Sequence, residues 1–529
     1  MLHPTTTKDA STKGASMTET PSVGNGSTTH NIQSFPNGHV APKVHFNLWS
    51  AIGIQYSLTA APIAIGFYLS LVIGLGGSAG YFWDFIMVAV FQMIVCLAVC
   101  ELASAMPHSS GPAHWVQVLA GPRFSVELGY IMGWLTTGGW FFIMCATILY
   151  PAQLIMAVVE VVHPDYYPKS WHTYLLYVAI ALVFLVLNLP RIFKAMSWLL
   201  MGVVFLINGT ALYIFISLLV KASPKQSAHF VFLEFANSSG WKDGVVFFIA
   251  ILPAMTCLAG FDNITHITDE LENPSTQVPQ VLIGSYVMSV VTTIPMIMVY
   301  EFCNVDPESL LEAVGDQPLM QLMLNAFKSD AMAIVGMVLI IVSISISGCS
   351  ALISWSRLYW SFSRYGILPM SKTMSKLSSR DALPVNAMLW CTFLACCLGA
   401  ISIGSYTAMN AFLGAATLCV ITSLVTAFTL TLFHGRKNFN PNRAFKLGGW
   451  WGDAIFGISA LWSAFAAIML AFPLYLPVTL VYMNWACVVF GGVIVLSGLY
   501  YVLRFRHRRD MYQDPYLGEV HQENHGRHA

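Results

Sequence analysis

The sequence predicts an all-α polytopic membrane protein with twelve transmembrane helices. Of its 529 residues, 56% are apolar and only 9% are charged, and the mean hydropathy is +0.66. A soluble domain carries about 25% charged residues, so much of this surface must face a lipid bilayer. The 25 Lys and Arg balance 25 Asp and Glu, which argues against a nucleic-acid partner, because such partners are bound through an excess of basic charge.

The eleven cysteines indicate neither disulfide nor metal chemistry. All except Cys303 lie in apolar runs, where cysteine behaves as a small hydrophobic residue. No pair has the CxxC spacing of a zinc site. We therefore expect no metal and no cofactor, and the absence of a recognisable nucleophile–base pair argues against an enzyme.

The elements follow from apolar runs of about twenty residues, the length at which a helix crosses a bilayer. Residues 1–43 are rich in Ser, Thr, Gly, Asn and Pro, which predicts a disordered N-terminal tail. A twelve-helix domain follows over residues 44–503, and residues 504–529 form a C-terminal tail. The predicted spans are 48–72, 81–105, 124–156, 171–189, 198–220, 245–268, 281–300, 331–354, 387–403, 408–433, 454–474 and 478–503.

The distribution of basic residues predicts that both termini are cytoplasmic. Twenty of the 25 Lys and Arg fall in the two tails and in the loops on the same side of the membrane, and five fall in the opposite loops. Such an excess marks the cytoplasmic face. In this orientation the sequon Asn237-Ser238-Ser239 lies in an outer loop, so Asn237 is a predicted glycosylation site.

Helix-breaking residues lie in the first and sixth spans. The first span contains Gly53, Pro62 and Gly66, and the sixth contains Pro253 and Gly260. These residues are compatible with simple packing kinks. Their separation by five spans also fits a five-plus-five inverted repeat, in which two discontinuous helices occupy corresponding positions. We therefore predict that helices 1 and 6 are broken.

Polar residues inside the spans are the candidate solute contacts. In helix 1, the run that contains Gln55, Ser57, Thr59 and Ala60 would expose backbone N–H groups to a solute carboxylate if the helix unwinds there. The alternative is hydroxyl groups bonded to carbonyls of an intact helix. Further candidates are Trp134, Thr137 and Trp140 in the third span and Ser347 in the eighth, although they are also compatible with packing.

Asp262 lies well inside the sixth span, directly after Gly260 and Phe261. Charges within a span are costly and usually functional, so this carboxylate could meet a solute ammonium or bind a proton. His266, one turn later, could relay that proton. Asp262 could instead mark the solvated end of a shorter helix, and His266 could be an interfacial histidine.

Three segments resemble the amino acid–polyamine–organocation (APC) transporter superfamily, and in particular its fungal amino-acid/choline branch. They are residues 101–115, which begin at Glu101, residues 261–274, which end in Asn273-Pro274, and residues 357–369, which begin at Arg357. The resemblance covers about residues 48–503. It implies a central site between two unwound stretches, at about residues 57–61 in helix 1 and at about Cys257 to Gly260 in helix 6.

Two features depart from the family pattern. The helix 1 motif, at residues 57–62, has no glycine. Helix 5 has no lysine at its middle, where Asn208 is the strongly polar residue. The coupling ion is therefore not defined by the resemblance. Charges of the 101–115 and 357–369 segments could form ion pairs that hold the cytoplasmic side shut, but solvated charge of the positive-inside kind is the favoured interpretation.

The expected function is a plasma-membrane permease that imports a small amine-bearing solute together with a proton. An amino acid, GABA, choline or a related amine would fit. A nutrient sensor with a transporter fold is a second hypothesis, but the short tails argue against it. Export of a specialised metabolite also stays open, whereas a channel is disfavoured by the lack of a filter sequence.

Overall fold

The computed structural model describes residues 46–378, 382–436, 439–480 and 483–506. The predicted disordered segment 1–43 and the part of the C-terminal tail beyond residue 506 lie outside the described residues. The α-helices, in chain order, are α1 Leu48–Thr59, α2 Ala61–Ala64, α3 Leu69–Gly74, α4 Gly77–Ala105, α5 Pro112–Leu119, α6 Gly121–Val162, α7 Ser170–Leu187, α8 Phe193–Lys221, α9 Ala228–Leu233, α10 Asp243–Ile249, α11 Leu252–Cys257, α12 Pro274–Phe302, α13 Pro318–Phe327, α14 Asp330–Ser363, α15 Ser371–Met374, α16 Val385–Gly399, α17 Ile401–Gly404, α18 Tyr406–His434, α19 Gly449–Ala471 and α20 Ala486–Tyr500.

The all-helical membrane architecture predicted from composition is confirmed. Within the described ranges, eleven helical segments are long and apolar enough to cross a bilayer, the first running over Leu48–Gly74. Each corresponds to one of the twelve predicted spans. At the predicted sixth span, the apolar helical segment is shorter and covers Asp243–Cys257. The α-helix ends at Cys257, well before the predicted end of the span at residue 268.

Apart from the broken sixth span, two predicted boundaries shift by eight residues or more. The eighth predicted span corresponds to α14, which continues to Ser363, nine residues beyond the predicted end. About half of the 357–369 segment is therefore helical and not a loop. In this extension Arg357 is only 2% exposed and pairs with Glu270. The last helix, α20, begins at Ala486 rather than near residue 478.

The core lies between the helices, and large apolar side chains cover the outside. Trp140, Trp355 and Tyr56 are fully buried, whereas Phe205 on α8 and Leu461 on α19 are 80% and 75% exposed. Exposed apolar surface on this scale would be unfavourable in water and is expected of helices that face lipid.

Helix 1 (α1 to α3) and helix 6 (α10, α11 and the 3₁₀ helix Ile264–Glu270) are both interrupted. They are the first and sixth membrane segments in chain order, as the breaker residues predict. The inverted relation between the two halves of the chain stays a prediction.

Candidate functional site

Helix 1 breaks at a single residue. Ala60 adopts a left-handed conformation, φ 39° and ψ 39°, between the end of α1 at Thr59 and the start of α2. Pro62 follows as the second residue of α2, where its missing N–H costs little. The break is therefore narrower than the predicted stretch 57–61.

Polar side chains of α14 pack against this break. The Ser347 hydroxyl donates to the Leu58 carbonyl at 3.4 Å, and the hydroxyls of Ser57 and Ser350 are 3.0 Å apart. These contacts satisfy polar groups that an interrupted helix leaves without intrahelical partners. Ser57 and Ser347 thus hold helix 1 against α14 in this conformation.

Helix 6 unwinds over residues 258–263. Gly260 has φ +81°, and a Cβ atom placed on it would lie 3.1 Å from Leu58 Cδ2. Glycine adopts this conformation without the penalty that other residues incur. The break begins one residue after Cys257 and extends three residues beyond the predicted end at Gly260.

Gln55, five residues before the break in helix 1, joins α1 to the helix 6 break. Its Nε2 donates to the Gly260 carbonyl at 2.9 Å, and its Oε1 accepts from the Ile264 N–H at 3.2 Å. Asn263 adds a bond of 3.2 Å from its Nδ2 to the Ile54 carbonyl. The side chain predicted as a solute contact therefore spans the unwound segment of helix 6.

Asp262 and His266 form a fully buried pair, each 0% exposed. Asp262 Oδ2 accepts from Trp140 Nε1 at 2.7 Å and lies 3.2 Å from His266 Nε2. The other imidazole nitrogen, Nδ1, is 3.0 Å from the Ser109 carbonyl. Asp262 does not mark a solvated helix end, and we call these two residues the Asp262–His266 pair.

A narrow pocket lies between α1, the helix 6 break and α12. We call it the α12 pocket. Ten side chains line it: Gln55, Thr59, Cys257, Leu258, Ala259, Phe261, Leu282, Ser285, Tyr286 and Ser289.

The structure brings most predicted site residues together, but it divides them between two sides of the helix 6 break. Gln55, Thr59, Cys257 and Phe261 line the α12 pocket, whereas the Asp262 carboxylate is bonded to Trp140 on α6.

Two predicted residues in the third span lie outside these contacts. Trp134 packs beside Tyr130 and Tyr500, with ring centroids 6.4 Å and 5.4 Å away. Thr137 is buried, and its hydroxyl has no partner among the residues that the structure describes. Neither lines the α12 pocket.

The predicted glycosylation site is exposed but hydrogen-bonded. Asn237 Nδ2 donates to the Trp241 carbonyl and to Asp243, both at 2.8 Å. Ser239 of the sequon is buried and bonds back to Asn237 Oδ1 at 2.7 Å. Attachment of a glycan would have to replace these bonds.

Charges of the 101–115 and 357–369 segments form ion pairs instead of staying solvated, but the two segments do not pair with each other. Glu101 pairs with Arg436 at 3.1 Å and with Arg443 at 2.7 Å, rather than with the 357–369 segment. Arg357 instead meets Glu270 at 2.7 Å, and Arg364 lies 3.8 Å from Asp269. These ion pairs tie both the 3₁₀ helix and α4 to their neighbours.

Sequence reasoning missed the contribution of α12. Ser285, Tyr286 and Ser289 line the pocket, but isolated serines in an apolar run carry no signal that separates lining from packing. Asn208, noted as the polar residue of helix 5, accepts from the Tyr56 hydroxyl at 3.0 Å and so ties α8 to α1. In the described ranges, no group of three His, Cys, Asp or Glu side chains could hold a metal ion.

Comparison with known proteins identifies the family. The profile described as amino acid permease matches residues 46–493. The chain is 26% identical to the choline transporter of Saccharomyces cerevisiae, over 88% of this chain and 82% of that protein. It is 24% identical to amino-acid permease BAT1 of Arabidopsis thaliana and 26% identical to the transmembrane transporter swnT of Metarhizium robertsii. Both of these similarities cover 88% of this chain and 92% of the relative.

These matches span nearly all the helices described above, including both broken ones, and agree with the resemblance found in the three segments. They indicate a transporter rather than an enzyme. The chain therefore belongs to the amino acid permease family of the APC superfamily.

Proposed function

We propose that this protein is a secondary active transporter that imports a small amine-bearing solute across the plasma membrane together with a proton. The observation that carries the proposal is the pair of adjacent broken helices joined by Gln55. Discontinuous helices at the centre of a bundle are how many transporters expose backbone groups to a solute. An amino acid, GABA, choline or a related amine would fit, and relatives are named as a choline transporter and as amino-acid permeases.

Hydrogen-bond chemistry supports the Asp262–His266 pair as the proton site. A carbonyl can only accept, so His266 Nδ1 must donate to Ser109. A neutral imidazole would then present a bare Nε2 to Asp262 Oδ2 at 3.2 Å, where two lone pairs repel. One additional proton, on Nε2 or on the carboxyl group, turns this contact into a hydrogen bond. This conformation is thus favoured when the pair holds an exchangeable proton.

Loss of that proton would couple to movement. It would restore the repulsion and weaken the contact between the 3₁₀ helix and the loop that carries Ser109. Gly111 of the same loop lies so close that an added Cβ atom would be 3.1 Å from His266 Cε1. A ligand shifts a conformational equilibrium through such differential contacts.

The first experiment is uptake of labelled candidate solutes by a transport-deficient yeast that expresses the full chain, at two pH values. The Asp262→Asn variant is then tested in proteoliposomes with an imposed pH gradient. An asparagine amide has no titratable proton, so this variant can neither bind nor release one at position 262. We expect it to retain solute exchange but to lose accumulation driven by the gradient.

Asp306→Asn, which changes an exposed loop carboxylate, is the control and should accumulate solute normally. Unchanged gradient-driven accumulation by Asp262→Asn would exclude the pair as the proton site. Failure of the unmodified chain to take up any amine would count against the transport function itself.

A further inference from the structure

A buried carboxyl group in α4 has no part in the mechanism described so far. Asp84 is the eighth residue of α4 and lies about 10 Å along the axis from the start of the helix. It is only 2% exposed, and neither of its carboxyl oxygens has a hydrogen-bond partner among the residues that the structure describes. The ion pairs formed within those residues do not include it either.

The titratable groups around α4 are engaged elsewhere or exposed. Glu301, near the end of α12, lies beside Ser78 on α4. Asp453 on α19 pairs with Arg436, which contacts the opposite end of α4. The other titratable side chains on or next to the helices packed against α4 are Tyr68, His229, Glu234, Lys242, Asp243, Cys257, Tyr286 and Tyr300, and none of them bonds to Asp84.

The Asp84 carboxyl group must therefore be neutral in this conformation. An ionised carboxylate that has lost its water without gaining a donor or a counter-charge is so unfavourable that the group takes up a proton instead. Even the neutral form, without a hydrogen bond, lowers stability. An ionisable residue that is kept inside a membrane helix at such a cost is a candidate proton-binding group.

The end of α4 nearest Asp84 is covered by residues 232–238. The Gly76 N–H donates to the Ala236 carbonyl at 2.7 Å, and the Ala79 N–H donates to the Glu234 carbonyl at 3.3 Å. Trp83, the neighbour of Asp84, donates from Nε1 to the Phe232 carbonyl at 3.1 Å. Since the carboxyl oxygens are also buried, exchange of a proton with water requires some of the surrounding elements to move.

The flanking side chains of α4 contact both broken helices. Tyr81, one turn before Asp84, donates to the Ile65 carbonyl of helix 1. Gln92, about two turns after it, donates from Nε2 to Met255 Sδ of α11 at 3.1 Å. Movement of either broken helix would thus change the surroundings of this part of α4, and a proton that binds one arrangement better than the other shifts the equilibrium between them.

We propose that Asp84 is a second proton-binding site, separate from the Asp262–His266 pair. Its carboxyl group is protonated in this conformation and exchanges its proton when helix 1 or helix 6 moves relative to α4. Protonation of Asp84 does not depend on the proposed transport function, whereas any use of this proton to drive uptake of a solute rests on that function.

The first test is infrared spectroscopy of the purified full chain at about pH 7.5, where exposed carboxyl groups are ionised. A protonated carboxyl group has a carbonyl stretching band that a carboxylate lacks, and the band shifts when deuterium replaces the proton. Asp84→Asn should lose one such band, whereas Asp306→Asn, which changes an exposed carboxylate, should keep the spectrum of the unmodified protein. Glu301→Gln should also keep the Asp84 band. In D2O this band should shift while the protein stays folded.

The second test is thermal unfolding in detergent, which also reports whether each variant folds. The unfolded chain releases the proton of Asp84 above about pH 4, but the folded chain keeps it, so the group lowers stability increasingly as the pH rises. Asparagine needs no proton. Asp84→Asn should therefore unfold at a higher temperature than the unmodified protein at about pH 7.5, with a smaller gain at about pH 5.

A spectrum that Asp84→Asn leaves unchanged would overturn the proposal, because the carboxyl group would then be ionised. An equal or lower unfolding temperature of this variant at about pH 7.5 would overturn it too, since it would reveal no cost of protonation. A band that shifts in D2O only on unfolding would exclude exchange through movement of the helices. All three results can be obtained from a chain that takes up no solute, so they are distinct from failure of the transport function.

Discussion

Gly260 illustrates how a single residue shapes the site. Its φ of +81° permits the turn that carries Phe261 into the pocket and Asp262 toward α6. Any side chain here would strain the backbone and approach Leu58. The sequence singles out this glycine as a breaker, but which neighbour it approaches depends on the packing of helix 1.

We expect Gly260→Ala to destabilise the protein by about 1–2 kcal/mol, because an L-residue is disfavoured at positive φ. Uptake should fall as well, since the break would be distorted. Gly284→Ala is the matched control, because Gly284 lies inside α12 with nothing within 4 Å of an added Cβ. Thermal unfolding in detergent should separate the two variants, and equal stability would contradict the structural role of Gly260.

His108 lies in the loop between α4 and α5, outside the membrane-spanning helices. Its ring stacks on that of His114 with centroids 4.1 Å apart, and its Nδ1 accepts from the Ser110 N–H at 3.0 Å. Burial lowers the pKa of His108 well below its usual value of 6.5, and the neighbouring His114 and Arg364 lower it further. The folded loop therefore holds this imidazole neutral.

Stability should consequently decrease in acid. Below about pH 6.5 the unfolded chain binds a proton at His108 that the folded chain does not, so the free energy of unfolding falls as the pH drops. His108→Asn keeps an acceptor for Ser110 but cannot titrate, and should lose less stability between about pH 7.5 and about pH 5 than the unmodified protein. Identical pH profiles of thermal unfolding would show that His108 makes no such contribution.

At the scale of elements, the ion pairs connect segments that are distant in sequence. Glu101 at the end of α4 is fully buried against Arg436 and Arg443, which follow α18. Arg436 also contacts Asp453 on α19, whose side chain is 66% exposed. A single arginine thus has one buried and one exposed acidic partner, which provides an internal comparison.

We expect Glu101→Gln to lower stability by about 3–5 kcal/mol, because Arg443, only 10% exposed, loses its buried counter-charge and Arg436 keeps only the exposed Asp453. Asp453→Asn should cost at most about 1 kcal/mol, since solvent screens an exposed pair. Chemical or thermal unfolding in detergent measures both. A similar cost for the two variants would indicate that the Glu101 contacts do not anchor these helices.

The helix breaks show what sequence patterns can locate. Gly260 and Pro253 predict the interruption of helix 6, because both residues disfavour a continuous helix. Gly53 gives the same signal in helix 1 but lies inside α1, where an added Cβ atom would overlap the Leu200 carbonyl of α8 at 1.9 Å. It permits close helix packing rather than a break, a distinction that depends on the neighbouring helix.

At the scale of the molecule, the excess of basic residues in alternate loops predicts cytoplasmic tails. In sealed, right-side-out vesicles, a protease site added at either terminus should be protected. A cysteine introduced at Lys242, in the loop of the Asn237 sequon, should react with an impermeant thiol reagent, while one at Lys372 should not. Reaction of the Lys372 position alone would reverse the orientation.

Composition and periodicity by themselves determined the helical membrane architecture, the approximate spans and the two interrupted helices. These properties depend on the free energy of individual residues in their immediate surroundings. Charged groups are unfavourable in lipid, and glycine and proline weaken helices wherever they occur. Tertiary structure alone decided that Gln55 ties α1 to the helix 6 break, that Asp262 meets Trp140 and His266, and that α12 completes the pocket. Those contacts join residues far apart in the chain, and hydrogen bonding and ring packing depend on distances that no local pattern encodes.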